Sequence, residues 1–240
     1  MPVYEHGDVS IHYEVHGEGF PVLLLAPGGM RSCIDFWKRA AYDPIAELSG
    51  DFRLIAMDQR NAGRSRAPIT PDDGWHVYAR DQIALLDHLG VDRFHVHGYC
   101  IGGSFGLGLM QAAPERVAAG VLNQPIGHDG HNREVFYELF DGWAAEQREG
   151  RPELAGVDLS PFRERMYGGD FVFNVSRDFV KGCSTPMLVL RGDDVYHPSE
   201  TSREIVRLAL HGELIERWKD PDVLGDAVAR VKAFLHAHTP

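Results

Sequence analysis

The sequence predicts an α/β fold on a mostly parallel sheet, and three observations carry that expectation. Short apolar runs recur along the chain, helix-like stretches separate them, and one run leads into the pentapeptide Gly98-Tyr99-Cys100-Ile101-Gly102. Runs rich in Val, Leu and Ile without polar alternation suit strands buried on both faces, as parallel strands joined by crossover helices are.

The elements follow in order. Residues 4–16 alternate around Gly7-Asp8, the pattern of an antiparallel hairpin edging a larger sheet. Apolar runs then fall at 22–26, 54–57, 94–96, 118–122, 187–190 and 214–218. Residues 77–89 place Tyr78, Ile83, Leu85, Leu86 and Leu89 largely at helical spacing and end at Gly90, a C-cap. A second helix is expected over 199–210, after Pro198. A terminal one over 227–236 sets Val228, Val231, Phe234 and Leu235 on one face against the sheet. Residues 125–185 are far more than an ordinary crossover needs, and they are crowded with aromatics: Phe136, Tyr137, Phe140, Trp143, Phe162, Tyr167, Phe171, Phe173 and Phe179. The expected organisation is a core domain of 1–124 and 186–240 with a helical lid of 125–185 over the C-terminal strand edge, where open α/β sheets bind ligands.

Composition narrows the function. The chain has 240 residues, with 35 acidic against 24 basic and a formal charge of −11. No Lys/Arg block tracks phosphates, which argues against nucleic acid, and no run approaches a membrane span. The polar first residues are unlike a signal peptide, so a cytoplasmic protein is expected. Cys33, Cys100 and Cys183 form neither an even set nor a metal-ligand spacing, and the histidines include no H-E-x-x-H. Neither metal nor cofactor is expected. A small, largely apolar substrate is the expected partner, and a homodimer is left open.

The pentapeptide carries the chemistry. A nucleophile elbow ends a strand in a sharp turn whose small flanking residues expose the central side chain above the sheet. Here that side chain is a thiol at a helix N-terminus, where backbone N–H groups and the macrodipole favour the reactive thiolate. Glycines around a small residue also occur simply for tight packing, so neighbouring motifs must decide.

Four motifs agree in order with the α/β-hydrolase superfamily, which the chain resembles from about Val3 to its C-terminus. They are residues 22–30 (VLLLAPGGM), 57–65 (MDQRNAGRS), the elbow 98–103 (GYCIGG) and 188–194 (LVLRGDD). The elbow is similar to that of dienelactone hydrolases and polyhydroxyalkanoate synthases, whose nucleophile is cysteine, while the turns at 26–29 and 58–64 look like the lipase, esterase and peptidase branches. The resemblance implies an eight-stranded, mostly parallel sheet flanked by helices. It also implies a Cys100 nucleophile, an oxyanion hole of the Ile101 amide with that of Gly29 or Met30, and Asp194 as the acid, with Asp193 its rival.

The resemblance puts a histidine after the last strand, but Lys219-Asp220-Pro221-Asp222 stands there. His211 precedes that strand, His236 and His238 end the terminal helix, and His95 and His97 suit a strand interior. His197, in the loop after Asp194, is the preferred base; His128, His131 and His76 are alternatives. His76, His128 and Trp143 are expected to contact substrate. Arg60 and Arg64 suit loop bracing or an acidic substrate, and Cys33 suits a buried site or a second reactive thiol.

The leading expectation is a hydrolase that opens an ester, lactone, thioester or activated amide through a Cys100 acyl-enzyme. One alternative is an acyltransferase or cyclase using the same cysteine. The other is a ligand-binding homologue without catalysis.

Overall fold

A computed structural model describes residues 2–240. Its strands are β1 (Val3–His6), β2 (Val9–His16), β3 (Pro21–Leu25), β4 (Arg53–Met57), β5 (Phe94–Tyr99), β6 (Val117–Asn123), β7 (Met187–Leu190) and β8 (Gly212–Ile215). They form one eight-stranded sheet in the order β1-β2-β4-β3-β5-β6-β7-β8. The β1–β2 hairpin turns at Gly7 and joins β4 antiparallel, while all other pairs are parallel. The α/β-hydrolase architecture expected from the sequence is therefore present.

The helices are α1 (Pro44–Leu48), α2 (Trp75–His88), α3 (Ile101–Ala112), α4 (Arg133–Glu149), α5 (Ser160–Tyr167), α6 (Arg177–Gly182), α7 (Ser199–Leu208) and α8 (Leu224–Ala237). They cover both sheet faces, which explains the unbroken apolar runs. Leu23, Leu25, Ile55 and Met57 join the core on one side, while Val22, Leu24, Leu54 and Ala56 join the core on the other. Burying one such side chain is worth about 1.5–3 kcal/mol, so polar residues are costly on either face.

One boundary differs instructively from the sequence reading. The last strand is Gly212–Ile215, not 214–218. Trp218 is buried for another reason: it packs edge-on against Tyr42 and Tyr99, and its Nε1 donates to the Arg191 carbonyl at 2.9 Å. Helix α3 starts immediately after Cys100, because the turn contains no spare residue.

Strand order reverses around β3 and β5, and such a switch point opens a crevice beyond the strand ends. The turn after β3 and the elbow after β5 face that crevice. Between β6 and β7 come α4, α5 and α6. Phe140, Trp143 and Phe162 form an aromatic knot there with ring centroids 5.0–5.8 Å apart. Phe136 and Tyr167 stack at 5.4 Å and line the crevice. Among the described residues no helix is long and apolar enough to cross a membrane.

Candidate active site

The site begins with a strained backbone. Cys100 has φ 61° and ψ −121°, a conformation costing about 1–3 kcal/mol for a residue with a Cβ. Backbone bonds hold it there: Cys100 N–H donates to Asn123 O at 2.9 Å, and Gly103 N–H to Cys100 O at 3.0 Å. The flanking glycines are required by close approach. A Cβ on Gly98 would strike the Gly102 carbonyl, and one on Gly102 would strike the Leu25 carbonyl. The pentapeptide thus welds β5, α3 and the end of β3 together and leaves the thiol half-buried in a cavity of about 300 Å³.

His197 lines the same cavity. Its Nδ1 lies 2.7 and 2.8 Å from the two carboxylate oxygens of Asp194, while Asp194 Oδ1 accepts from the Tyr196 and His197 amides at 2.9 and 3.0 Å. The loop therefore folds around its own carboxylate and fixes the imidazole. A carboxylate can only accept, so this pairing assigns the proton to Nδ1. Nε2 is buried without a hydrogen-bond partner, and the thiol it couples to electrostatically is Cys100.

The charges reinforce one another. Burial pushes the Cys100 thiol up, but the His197 charge and contact, together with the Gly28 and Ile101 amides, outweigh it and leave the thiol below its usual value of 9.0. Burial pulls His197 down, whereas Cys100 and Asp194 overcome it and raise the imidazole to about 9. The His197 hydrogen bond is the main reason that Asp194 falls to about 2. These directions all favour a thiolate–imidazolium pair over the neutral forms, with the carboxylate steadying the imidazolium.

Backbone amides from the turn after β3 and from the start of α3 flank the sulfur. The Gly28 and Ile101 amides help to lower the Cys100 thiol, and Gly28, Gly29 and Ile101 line its cavity. Pro27 has no N–H, so Gly28 offers the first amide after Ala26. Met30, by contrast, turns into the core.

The other candidates separate clearly. Asp193 forms an ion pair with Lys219, in the segment where the resemblance puts a histidine. His76 is exposed and lines a different cavity, outside the site. His128 Nδ1 bonds Asn132 at 3.0 Å, and His131 is exposed. Neither lines the Cys100 cavity, and nor does Trp143, which is fully buried and donates Nε1 to the Asn61 carbonyl at 3.3 Å. The expected substrate contacts His76, His128 and Trp143 thus lie outside the Cys100 cavity, whose lining includes Tyr167, Phe136 and Arg31. His95 and His97 are buried strand residues. Arg60 braces the loop through Asp81 at 2.8 Å, and Arg64 reaches Glu14 and His12. Burial and Asp58 raise the Cys33 thiol, so it resists ionisation.

Sequence reasoning missed Arg31, Phe36, Tyr167 and Tyr196. Only the aromatic crowding of the insertion hinted at Tyr167, since nothing in a sequence shows which of many aromatics faces inward.

Fold and site define an α/β protein with a nucleophile elbow, and comparison with known proteins agrees. The alpha/beta hydrolase fold family model matches residues 21–169, and the chain belongs to that family. It is 38% identical over 137 residues to the "Putative carbamate hydrolase RutD" of Azorhizobium caulinodans, covering 57% of this chain and 49% of that one. The protein of the same name in Variovorax paradoxus is 38% identical over 139 residues, covering 55% and 50%. The chain thus spans about half the length of the curated relatives it matches. Among solved structures, a meta-cleavage product hydrolase from Pseudomonas fluorescens superposes with a TM-score of 0.70 at 22% identity, covering 96% of both chains. An enol-lactonase from Burkholderia xenovorans gives 0.69 at 20%, covering 98% of this chain and 100% of that one. At such identities these structures speak for the fold.

Proposed function

We propose that the protein is a hydrolase that cleaves an activated carboxylic acid derivative through a Cys100 acyl-enzyme. The observation that carries this reading is that Cys100, His197, Gly28 and Ile101 line one cavity, with Asp194 bonded to His197 Nδ1 on the side away from the sulfur. The thiolate attacks the carbonyl carbon, and the two amides receive the charge that develops on oxygen. Imidazolium Nε2 then protonates the departing group, leaving a thioester and neutral His197. For hydrolysis Nε2 takes a proton from water, the hydroxide adds to the thioester, and sulfur leaves as the thiolate. Asp194 holds the imidazole throughout. Residues 125–185 serve as a lid whose Phe136 and Tyr167 exclude water.

An ester, lactone, thioester or activated amide meets these demands. So does the carbamate in the relatives' name, because its carbonyl undergoes the same attack. His197 also favours hydrolysis over acyl transfer, since it supplies the base that deacylation by water needs, and a histidine at the sulfur removes the motive for a non-catalytic reading. A reducing cytoplasm suits a free thiolate.

Short-chain para-nitrophenyl esters test the reading. The wild-type protein is expected to show a burst and turnover with an acyl adduct on Cys100 by intact mass, and Cys100→Ala to show neither. Turnover that survives in Cys100→Ala would sink the mechanism.

A further inference from the structure

A second cavity, of about 430 Å³, lies beside the first, and Arg31 and Phe36 line both. Its character is the opposite: three guanidiniums, Arg31, Arg66 and Arg151, face it with a single lining carboxylate, Glu146. In a chain whose formal charge is −11, this local excess of positive charge runs against the molecule and would focus an anion.

The pairing of these arginines is incomplete. Arg151 donates to the Ala67 carbonyl at 2.7 Å and to Asn61 Oδ1 at 2.6 Å, both neutral. Arg66 donates only to loop carbonyls, those of Gly63 at 3.1 Å and Ser65 at 2.8 Å. Among the described residues neither has a carboxylate within ion-pair distance, and the nearby acid that acts on Arg151 is Glu153. Burial and the Arg66 charge make the protonated Arg151 less favourable than usual, a cost that a bound anion would relieve. Asn61, at φ 59°, fixes Arg151 from a strained turn, so the guanidinium is held before any ligand arrives.

Arg31 shows which anion fits. It grips the Glu146 carboxylate with two parallel bonds of 2.7 and 2.8 Å, the fork geometry that planar carboxylates favour. The pair is solvent-accessible, with side chains 31% and 57% exposed, and such pairs contribute little, so replacing one partner costs little. A substrate carboxylate can therefore replace Glu146 on Arg31 or continue past it to Arg66 and Arg151.

We propose that the substrate of Cys100 carries a terminal carboxylate, joined to its reacting carbonyl by an apolar segment, and that Arg31, Arg66 and Arg151 bind that carboxylate. The inference rests on the acyl-enzyme reading and names its substrate class. The reacting carbonyl sits at the elbow, the apolar segment lies against Phe36, and the acid group enters the basic cavity.

Paired esters provide the test: para-nitrophenyl hexanoate and octanoate against the para-nitrophenyl half-esters of adipic and suberic acid. The acidic member is expected to have the higher kcat/KM by about tenfold or more, the size of one charge-assisted bond, expressed mainly in KM and weakened by added salt. The acidic-to-neutral ratio should fall toward one in Arg66→Gln and Arg151→Gln and recover partly in Arg151→Lys. Arg66 is exposed and bonds only its own loop, so its variant should fold. A wild-type ratio of one or less, or a ratio that the variants leave intact, overturns the proposal. Protection of Cys100 from iodoacetamide by adipate, compared with adipamide, separates the two readings. If no ester turns over, hydrolysis fails, while salt-sensitive protection by adipate that disappears in Arg66→Gln still upholds the basic cavity, and equal protection by adipamide refutes it.

Discussion

Sulfur rather than oxygen at position 100 changes what its neighbours must do. A serine hydroxyl needs a base at the moment of attack, whereas a thiol beside an imidazolium loses its proton more readily. Under the proposed mechanism that difference makes a histidine workable three residues after Asp194, on the same loop. Labelling reads it directly: iodoacetamide should modify Cys100 at a pH below that of an ordinary thiol, because the folded thiol ionises below its usual value. Burial and Asp58 raise the Cys33 thiol, so Cys33 should stay unmodified under the same conditions. His197→Ala removes the cation that favours thiolate, and the Cys100 labelling profile should move to higher pH. A profile unmoved by that change would show that imidazole and sulfur do not communicate. Asp194→Asn should keep the thiol alkylatable but cut turnover by about 10²–10⁴, the usual worth of an oriented acid–base group, with deacylation slowed most in single-turnover kinetics.

Elements explain what could be read in advance. Buried strands announce themselves because both faces are apolar, as at residues 22–26 and 187–190, and the elbow is legible because its glycines answer steric demands of the backbone itself. Cys100 is legible from the elbow motif, whereas Asp194 comes only through the resemblance, with Asp193 its rival, and His197 is one of four candidate histidines. Orientation is what the sequence hides: Trp143 and Tyr167 are both insertion aromatics, yet one fills an aromatic knot and the other lines the cavity, a choice made by tertiary packing. Likewise Arg31 gives no local sign that it divides two cavities. Two substitutions in α3 test the steric account. Gly102→Ala drives a Cβ into the Leu25 carbonyl, backbone that cannot swing aside. It should lower the urea midpoint by an amount equivalent to about 1–3 kcal/mol and pull the Gly28 amide from the sulfur. Gly106→Ala meets only side-chain carbons at 3.4 Å or beyond, so higher helix propensity should leave it neutral or stabilised by up to about 1 kcal/mol. Equal losses in both would refute the assignment of the crossing to Gly102.

Across the whole molecule, the side of the sheet facing α8 stores an acid sensitivity separate from catalysis. His95 and His97 are both fully buried on β5. His97 Nε2 meets the Tyr42 hydroxyl at 2.7 Å, and His95 Nε2 meets the Thr239 hydroxyl at 3.1 Å. Burial holds each imidazole near a pKa of about 4, helped at His95 by the nearby His238. In the unfolded chain both would titrate near the ordinary 6.5. Between these values the unfolded state binds protons that the folded state refuses, so stability must fall as pH drops from about 6.5 toward about 4. Each group contributes on the order of a few kcal/mol across that window. Below it their effect levels off, and Asp194, held to about 2, becomes the group whose protonation matters. Urea midpoints should therefore be clearly lower at pH 5 than at pH 7. The slope should flatten in His95→Gln, which removes one titrating group at the edge of the network while leaving the nucleophile cavity untouched. Equal midpoints at the two pH values would mean that these imidazoles reach protons or water in the native state, and that β5 is less tightly covered by α8 than its packing implies.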